Sequence, residues 1–339
     1  MKTGIKKISE ITGFSPATIS NALNRKKGVS WDTSDKIFRV AREIGYLDNN
    51  NISKIKLVIY KKNGLIIDDT PFFTLLINGI EQECSASGYE MLISNLDARS
   101  PGYTDQAKQM INEPDTAIIL LGTELSPEEL KIFKEAKCPF LLLDYWSFDM
   151  DFNGVIINNS DSVRTAINYL YAKGHTKIGH LSGKFKILGF HQREIGYYTV
   201  MRELGLEVDP KYTIDLGTTM NGAYADMLDF LTKKPDLPTA FFADNDMIAL
   251  GAIKALQETG FKIPKDISVI GFDDLPFCEI SMPRLTSLRV PKQEMGRLAV
   301  RRIIDMMEND DTIHTKIQVC TEFIERDSVR DLTIGSKSQ

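Results

Sequence analysis

At 339 residues the chain exceeds one ordinary domain, and 42% hydrophobic with 26% charged residues is the balance of a folded globular protein. The net charge of −5 conceals an asymmetry: residues 1–56 carry a net +6 and the remainder −11, so only a small basic head is suited to nucleic acid and the acidic body repels phosphate. No apolar run of signal-peptide or membrane-span length is evident, and Cys84, Cys138, Cys278 and Cys320 are too scattered for zinc or redox work, which implies a cytoplasmic chain with free thiols, no metal and no cofactor.

The head comes first. Ile8 and Ile11 stand one helical turn apart before Gly13 breaks the run. Ser15 is placed to cap a second helix beginning at Pro16, where a missing N–H costs nothing. Ile19, Ala22 and Leu23 form its apolar stripe, and Pro16, Ala17, Thr18, Ser20, Asn21 and Asn24 form a small, uncharged opposite face. Two helices joined by a glycine turn, the second exposing small polar residues, make the helix-turn-helix pattern, whose second helix enters the DNA major groove. Lys6 and Lys7 precede that helix, and Arg25, Lys26 and Lys27 follow it; a solvated face is their plain alternative. A third helix is expected from Asp32 to Ile44, with Ile37, Val40, Ala41 and Ile44 inward. Residues 48–55, with three consecutive Asn, read as a linker between a domain at 1–47 and a body at 56–335.

The body alternates short apolar strands with amphipathic helices. Strands are expected at 57–60, 90–94, 116–121, 140–144, 155–157, 177–181, 239–243 and 268–272. Helices are expected at 73–87, 105–112, 127–136, 160–173, 192–204, 221–233 and 246–259, with Ser126 and Glu129 as a capping box. This pattern specifies α/β architecture with doubly wound parallel sheets, which bind ligands beyond the carboxyl ends of their strands. Two similar lobes fit the length, with a changeover near 155–160.

The run Ile8-Ser-Glu-Ile-Thr-Gly-Phe-Ser-Pro-Ala-Thr-Ile-Ser-Asn-Ala-Leu-Asn24, with Gly28-Val-Ser30, Thr33 and Ile44-Gly-Tyr46, resembles the start of the lac-repressor (LacI/GalR) family. The resemblance covers nearly the whole chain. It continues through Pro71-Phe-Phe, Lys173-Gly-His175, Arg193-x-x-Gly196, Asp244-Asn-Asp-Met-Ile-Ala-Leu-Gly251, Asp266-Ile-Ser-Val-Ile-Gly-Phe-Asp-Asp274 and Pro283-Arg-Leu-Thr286. It implies a three-helix DNA-binding head on a periplasmic-binding-protein-like body of two doubly wound α/β lobes. It also implies a dimeric repressor that binds a palindromic operator under control of a small effector, a sugar or sugar derivative.

By that resemblance Pro16, Ala17 and Asn21 are base-reading positions, with Ser15, Thr18, Ser20 and Asn24 contacting phosphate or supporting the helix. Pro16 and Ala17 offer only apolar contacts, such as to a thymine methyl, and Asn21 suits adenine. Phe72, Phe73, Arg193, Asn245 and Asp273 are implied ligand-cleft residues, with Asp144 a weaker candidate. Three departures stand out. The Ala-Arg-x-Leu segment that forms a minor-groove hinge helix is missing, leaving Ile52 or Ile55 as substitutes. No aromatic platform is evident near Leu216-Gly217. The Lys-Lys-Asn-Gly loop after the first strand is long.

Bland alternatives accompany each assignment: a hydrophobic staple for Phe72 and Phe73, a surface ion pair for Arg193, a helix cap for Asp273, and a helix-end role for His175. A regulator answering to a protein co-effector, and a sugar-binding protein without DNA function, are the alternative readings of the whole chain. An enzyme is not expected, because the four His make no metal-ligand spacing and no P-loop, dinucleotide fingerprint or nucleophile elbow is present.

Overall fold

The computed structural model describes residues 2–23, 28–46, 52–68, 70–113, 115–309 and 313–334. Three helices make the head: α1 (Lys2–Thr12), α2 (Pro16–Leu23) and α3 (Trp31–Glu43). Ile8, Ile19, Ala22, Ile37, Val40 and Ala41 close its small core with Leu23 and Ile44 packed against it, whereas Ile11, one turn from Ile8, is exposed. Gly13 turns the chain between α1 and α2 at φ +78°, a left-handed conformation that glycine adopts without strain. Phe38 lies outside this core and is buried instead against Gly88 of the body.

Lobe 1 is built from β1 (Lys54–Lys61), α4 (Phe72–Ala86), β2 (Glu90–Asp97), α5 (Tyr103–Ile111), β3 (Thr116–Leu121), α6 (Pro127–Leu130), β4 (Phe140–Leu143) and β5 (Asn153–Ile157). The helix expected to run to Ala136 tightens after α6 into a 3-10 turn over Lys131–Glu135. At its start the Ser126 N–H donates to Glu129 Oε2 at 2.8 Å, the reciprocal half of the expected capping box. Lobe 2 follows with α7 (Asn159–Ala172), β6 (Ile178–Gly183), α8 (Leu188–Glu203), β7 (Thr213–Leu216), α9 (Met220–Thr232), β8 (Ala240–Ala243), α10 (Asp246–Glu258), β9 (Ser268–Ile270), α11 (Phe277–Ile280) and β10 (Ser287–Arg289). The chain then returns to lobe 1 through α12 (Lys292–Asn309) and β11 (Lys316–Val319), and β12 (Glu322–Ile324) pairs antiparallel with β10.

Lobe 1 carries a parallel sheet in the order β11-β5-β4-β3-β1-β2, and lobe 2 one in the order β7-β6-β8-β9. β3 and β4 are buried along their whole length, which is why they read as unbroken apolar runs. The crossing expected near 155–160 lies between β5 and α7. Two more crossings, after β10 and before β12, were not foreseen, because periodicity reports local exposure and not which sheet a segment joins.

α12 packs on α4 at backbone contact. A Cβ on Gly79 would come within 2.1 Å of the Gln293 carbonyl oxygen, and one on Gly296 within 2.4 Å of that of Leu76. Ile55 is fully buried in β1 and Ile52 packs against the body's core, so neither is free to serve as a minor-groove wedge. Residues 47–51, with the Asn run, lie outside the described residues. The four cysteines are free, Cys84 and Cys278 buried and Cys320 exposed. Among the described residues no helix is long and apolar enough to cross a membrane.

Candidate functional site

The head presents one candidate surface. The Ser15 hydroxyl accepts from the Thr18 N–H at 3.1 Å and so caps α2. Pro16, Ala17 and Asn21 are exposed on the resulting face, with Thr18 and Ser20 half-buried at its margin. Lys6 and Lys7 are exposed on α1, adding positive charge to the head. Asn24 and Lys26 lie outside the described residues. An uncharged helix face with lysines nearby can lie in a groove while the ammonium groups meet phosphate.

The second candidate lies between the lobes, at the points where strand order reverses: β1 has β2 and β3 on either side, and β6 has β7 and β8. All six of the expected cleft residues line one small cavity of about 30 Å³: Phe72, Phe73, Asp144, Arg193, Asn245 and Asp273. Phe72 and Phe73 open α4 and meet edge to face at 5.1 Å. Both are buried, so core packing and cavity lining are the same role here. Arg193 is 4% exposed and is no surface ion pair. Its guanidinium lies 3.5 Å over the Phe272 ring, donates to Asn159 Oδ1 at 2.8 Å and to the Asp244 carbonyl, and stands 3.9 Å from Asp273. Asn245 Oδ1 caps α10 by accepting from the Ile248 N–H at 2.9 Å, which leaves the amide N–H donors for the cavity.

Asp273 does not cap α11, whose N-cap is Pro276 and which has no side-chain cap. It holds φ +108°, and Asp144 holds φ +57°, left-handed backbone of the kind that collects at binding sites. The surroundings enforce the Asp273 turn. Its N–H donates to the Leu288 carbonyl at 2.9 Å, and the buried Lys292 ammonium donates to the Asp273 carbonyl. The next carboxylate, Asp274, is clamped by Arg289 at 2.7 Å and Arg326 at 2.6 Å.

Burial pushes the Asp144 carboxyl up to about 6, opposed by the hydroxyl of Thr123 at 2.7 Å and by Arg193. Desolvation likewise raises Asp273, against the pull of Arg193 and Lys292, and raises Asp246, where Asp273 adds repulsion. Burial depresses the basicity of Arg193, which Asp273 and Asp244 restore in part. The cavity thus pairs an apolar wall with two carboxylates, one guanidinium and one amide, a set that suits a ring with hydroxyls at its edge.

Ile66, Thr70, Thr123, Ile157, Ile187 and Phe190 also line this cavity and were not expected from the sequence. Only Thr123 and Thr70 carried a signal, as hydroxyls just beyond a strand or before Pro71. His175 lies just beyond α7, and its ring bridges Thr239 at 2.9 Å and the Arg330 carbonyl at 3.0 Å, tying the C-terminal segment to lobe 2. Its N–H also donates to the Leu170 carbonyl at 3.0 Å, so the backbone closes the last turn of α7 while the ring is a structural tether.

A model described as a periplasmic binding protein-like domain matches residues 167–329. The HTH-type transcriptional repressor CytR of Escherichia coli (strain K12) is 31% identical over 321 residues, covering 94% of each chain. Among solved structures, a transcriptional regulator CelR–cellobiose complex superposes with a TM-score of 0.74 at 24% identity, over 96% of this chain and 99% of that one. The lac repressor dimer bound to operator and the anti-inducer ONPF gives 0.72 at 20% identity, over 95% and 98%. With a capped reading helix on a basic head, a two-lobed body and this identity along 94% of its length, the chain belongs to the LacI family of helix-turn-helix transcriptional regulators, which act by binding DNA.

Proposed function

We propose that the protein is a cytoplasmic, homodimeric repressor of a palindromic operator, with its head at 1–47, a linker at 48–55 and an effector-binding body at 56–335, released or recruited by a sugar or sugar derivative in the interlobe cavity. The observation that carries this reading is the placing of Asp144 from lobe 1 opposite Arg193, Asn245 and Asp273 beside an apolar wall. Vicinal hydroxyls need such a mixture of acceptors and donors, and the C–H face of a sugar ring fits the phenyl groups. The cellobiose held by CelR supports a sugar. Exposed apolar groups support a second copy: Ile280 and Met282 in lobe 2, 81% and 86% exposed, with Leu75 and Ile93 in lobe 1. On DNA, Ser15, Pro16, Ala17, Thr18, Ser20, Asn21 and Asn24 would face the groove, with Lys6, Lys7 and Lys26 on phosphates.

The effector shifts operator affinity only by its differential affinity for the open and closed lobes. The test is a thermal-shift screen of neutral sugars, sugar phosphates and purines, with Arg193→Ala and Asp273→Ala alongside. A ligand at about a hundred times its Kd adds about 2.7 kcal/mol. A stabilising sugar whose effect both variants lose is expected; a hit that both retain places the effector elsewhere.

A further inference from the structure

The long loop after β1 is held in an unusual way. Glu124, just past β3 and 2% exposed, directs its carboxylate into the loop. One oxygen accepts the backbone N–H groups of Lys62, Asn63 and Gly64 at 2.9, 3.0 and 2.9 Å. The other accepts those of Ile66 and Ile67 at 3.0 and 3.2 Å. Successive amides pointing inward make an anion cradle, and here a side chain of the same lobe fills it. The Asn63 side chain accepts from the Leu65 N–H at 2.9 Å, and Arg99 donates to the Asn63 carbonyl at 3.0 Å. Gly64 takes φ +75° at the bend, where a Cβ would sit 2.5 Å from an Asp68 carboxylate oxygen.

So fixed, the loop reaches over the cavity. The Ile66 side chain is buried in the same apolar core as Phe72 and Phe73 and lines the cavity with them. The Leu65 carbonyl accepts from the Thr218 hydroxyl of lobe 2 at 3.4 Å. Thr218 follows Leu216-Gly217, the place where the sequence showed no aromatic platform. The loop covers that side instead, and the space left in the cavity is about 30 Å³, far below the ~300–1,000 Å³ usual for ligand pockets, so with the loop in this position a second ring has no room.

We infer that residues 62–68 form a specificity lid of the effector cavity, in which Ile66 limits the ligand to a single sugar ring and Glu124 is the positioning residue that latches the lid. The inference rests on the sugar-effector reading and adds the size limit and the latch to it. Glu124→Gln is the sharp substitution: in either orientation of the amide, its NH2 faces two or three backbone donors, so the variant loses acceptors and gains repulsion with almost no change in volume. If the latched fraction then falls to about a tenth, apparent affinity falls about tenfold.

The experiment combines hydrogen exchange of amides 62–67 with calorimetric titration of glucose, galactose, ribose, cellobiose and lactose into the intact protein, Glu124→Gln, Ile66→Ala and Asp273→Ala. We expect slow exchange at 62–67 that becomes fast in Glu124→Gln. One-ring sugars should bind the wild type and two-ring sugars should not. Glu124→Gln should weaken one-ring binding about tenfold, and Ile66→Ala should admit a two-ring sugar. Fast exchange at 62–67 in the wild type overturns the latch. Equal binding of one- and two-ring sugars, or affinities unchanged in both lid variants but abolished in Asp273→Ala, overturns the lid while leaving the sugar site standing. If no sugar binds any form, the sugar reading falls and the size limit falls with it.

Discussion

Asp144 gives the cleft a pH response opposite in sign to ordinary acid denaturation. Its carboxyl is moved from an ordinary 3.8 to about 6 in the folded chain, chiefly by burial. Between those values the folded state holds a proton that the unfolded chain has released. Stability from this group is therefore full below about 3.8 and is lost as pH rises through about 6. Asp144→Asn removes the titration, tolerates the left-handed backbone and keeps a partner for Thr123. At pH 7 it should stabilise the fold by up to about 3 kcal/mol, at about 1.4 kcal/mol per tenfold in proton affinity, while weakening effector binding. Thermal melts between pH 4 and 7.5 check this: the wild-type curve should fall with pH and the variant curve should be flatter. An unchanged slope would assign the effect to Asp273 and Asp246, whose carboxyls burial also raises.

At the scale of elements, the cleft depends on the seam between α4 and α12. The glycines at 79 and 296 let the two backbones touch, and α4 carries Phe72 and Phe73 at its first turn while α12 begins at Lys292. Lys292 joins the two sides, with its ammonium on the Asp273 carbonyl and 5.4 Å from the centre of the Phe72 ring. Gly79→Ala drives a methyl into a backbone carbonyl that cannot rotate away, so it should cost about 1–3 kcal/mol in urea unfolding. A cost below about 0.5 kcal/mol, the range of a neutral surface change, would mean that the seam is looser than its geometry. This seam also marks where reading from sequence ran out. The strands β3, β4 and β8 were legible because wholly buried strands are wholly apolar. β7, β10, β11 and β12 were not, since they are short and partly exposed and their pairing is long-range. Asn245 and Asp273 were legible as cavity candidates because they follow strand ends, and Arg193, within α8, because its Arg-x-x-Gly196 run resembles the family's. Glu124 was hidden because its role lies in five backbone amides some sixty residues away, and amides leave no trace in the residue letters.

For the whole molecule, charge and symmetry make a joint prediction. In the proposed function the basic head supplies the phosphate contacts, and each phosphate neutralised adds about −0.9 to the slope of log affinity against log salt. A palindrome read by two heads therefore has twice the slope of one half-site read by one head. Ile280 and Met282 lie far from the head in sequence and carry no part of its charge, yet they are the most exposed large apolar side chains in lobe 2. Ile280→Asp with Met282→Asp should leave folding intact, since both side chains already face solvent, and should break the proposed dimer. Operator affinity should then fall and the salt slope should drop by about half, as measured by fluorescence anisotropy across a salt series with ultracentrifugation of the same samples. Lys6→Ala in the intact dimer should act differently, removing about one phosphate contact per head and lowering the slope by about two without changing the oligomeric state. A dissociated variant that keeps the full slope would mean that a single head makes all the phosphate contacts, and the palindromic reading would fail. A variant that stays dimeric would move the interface to another face of the body.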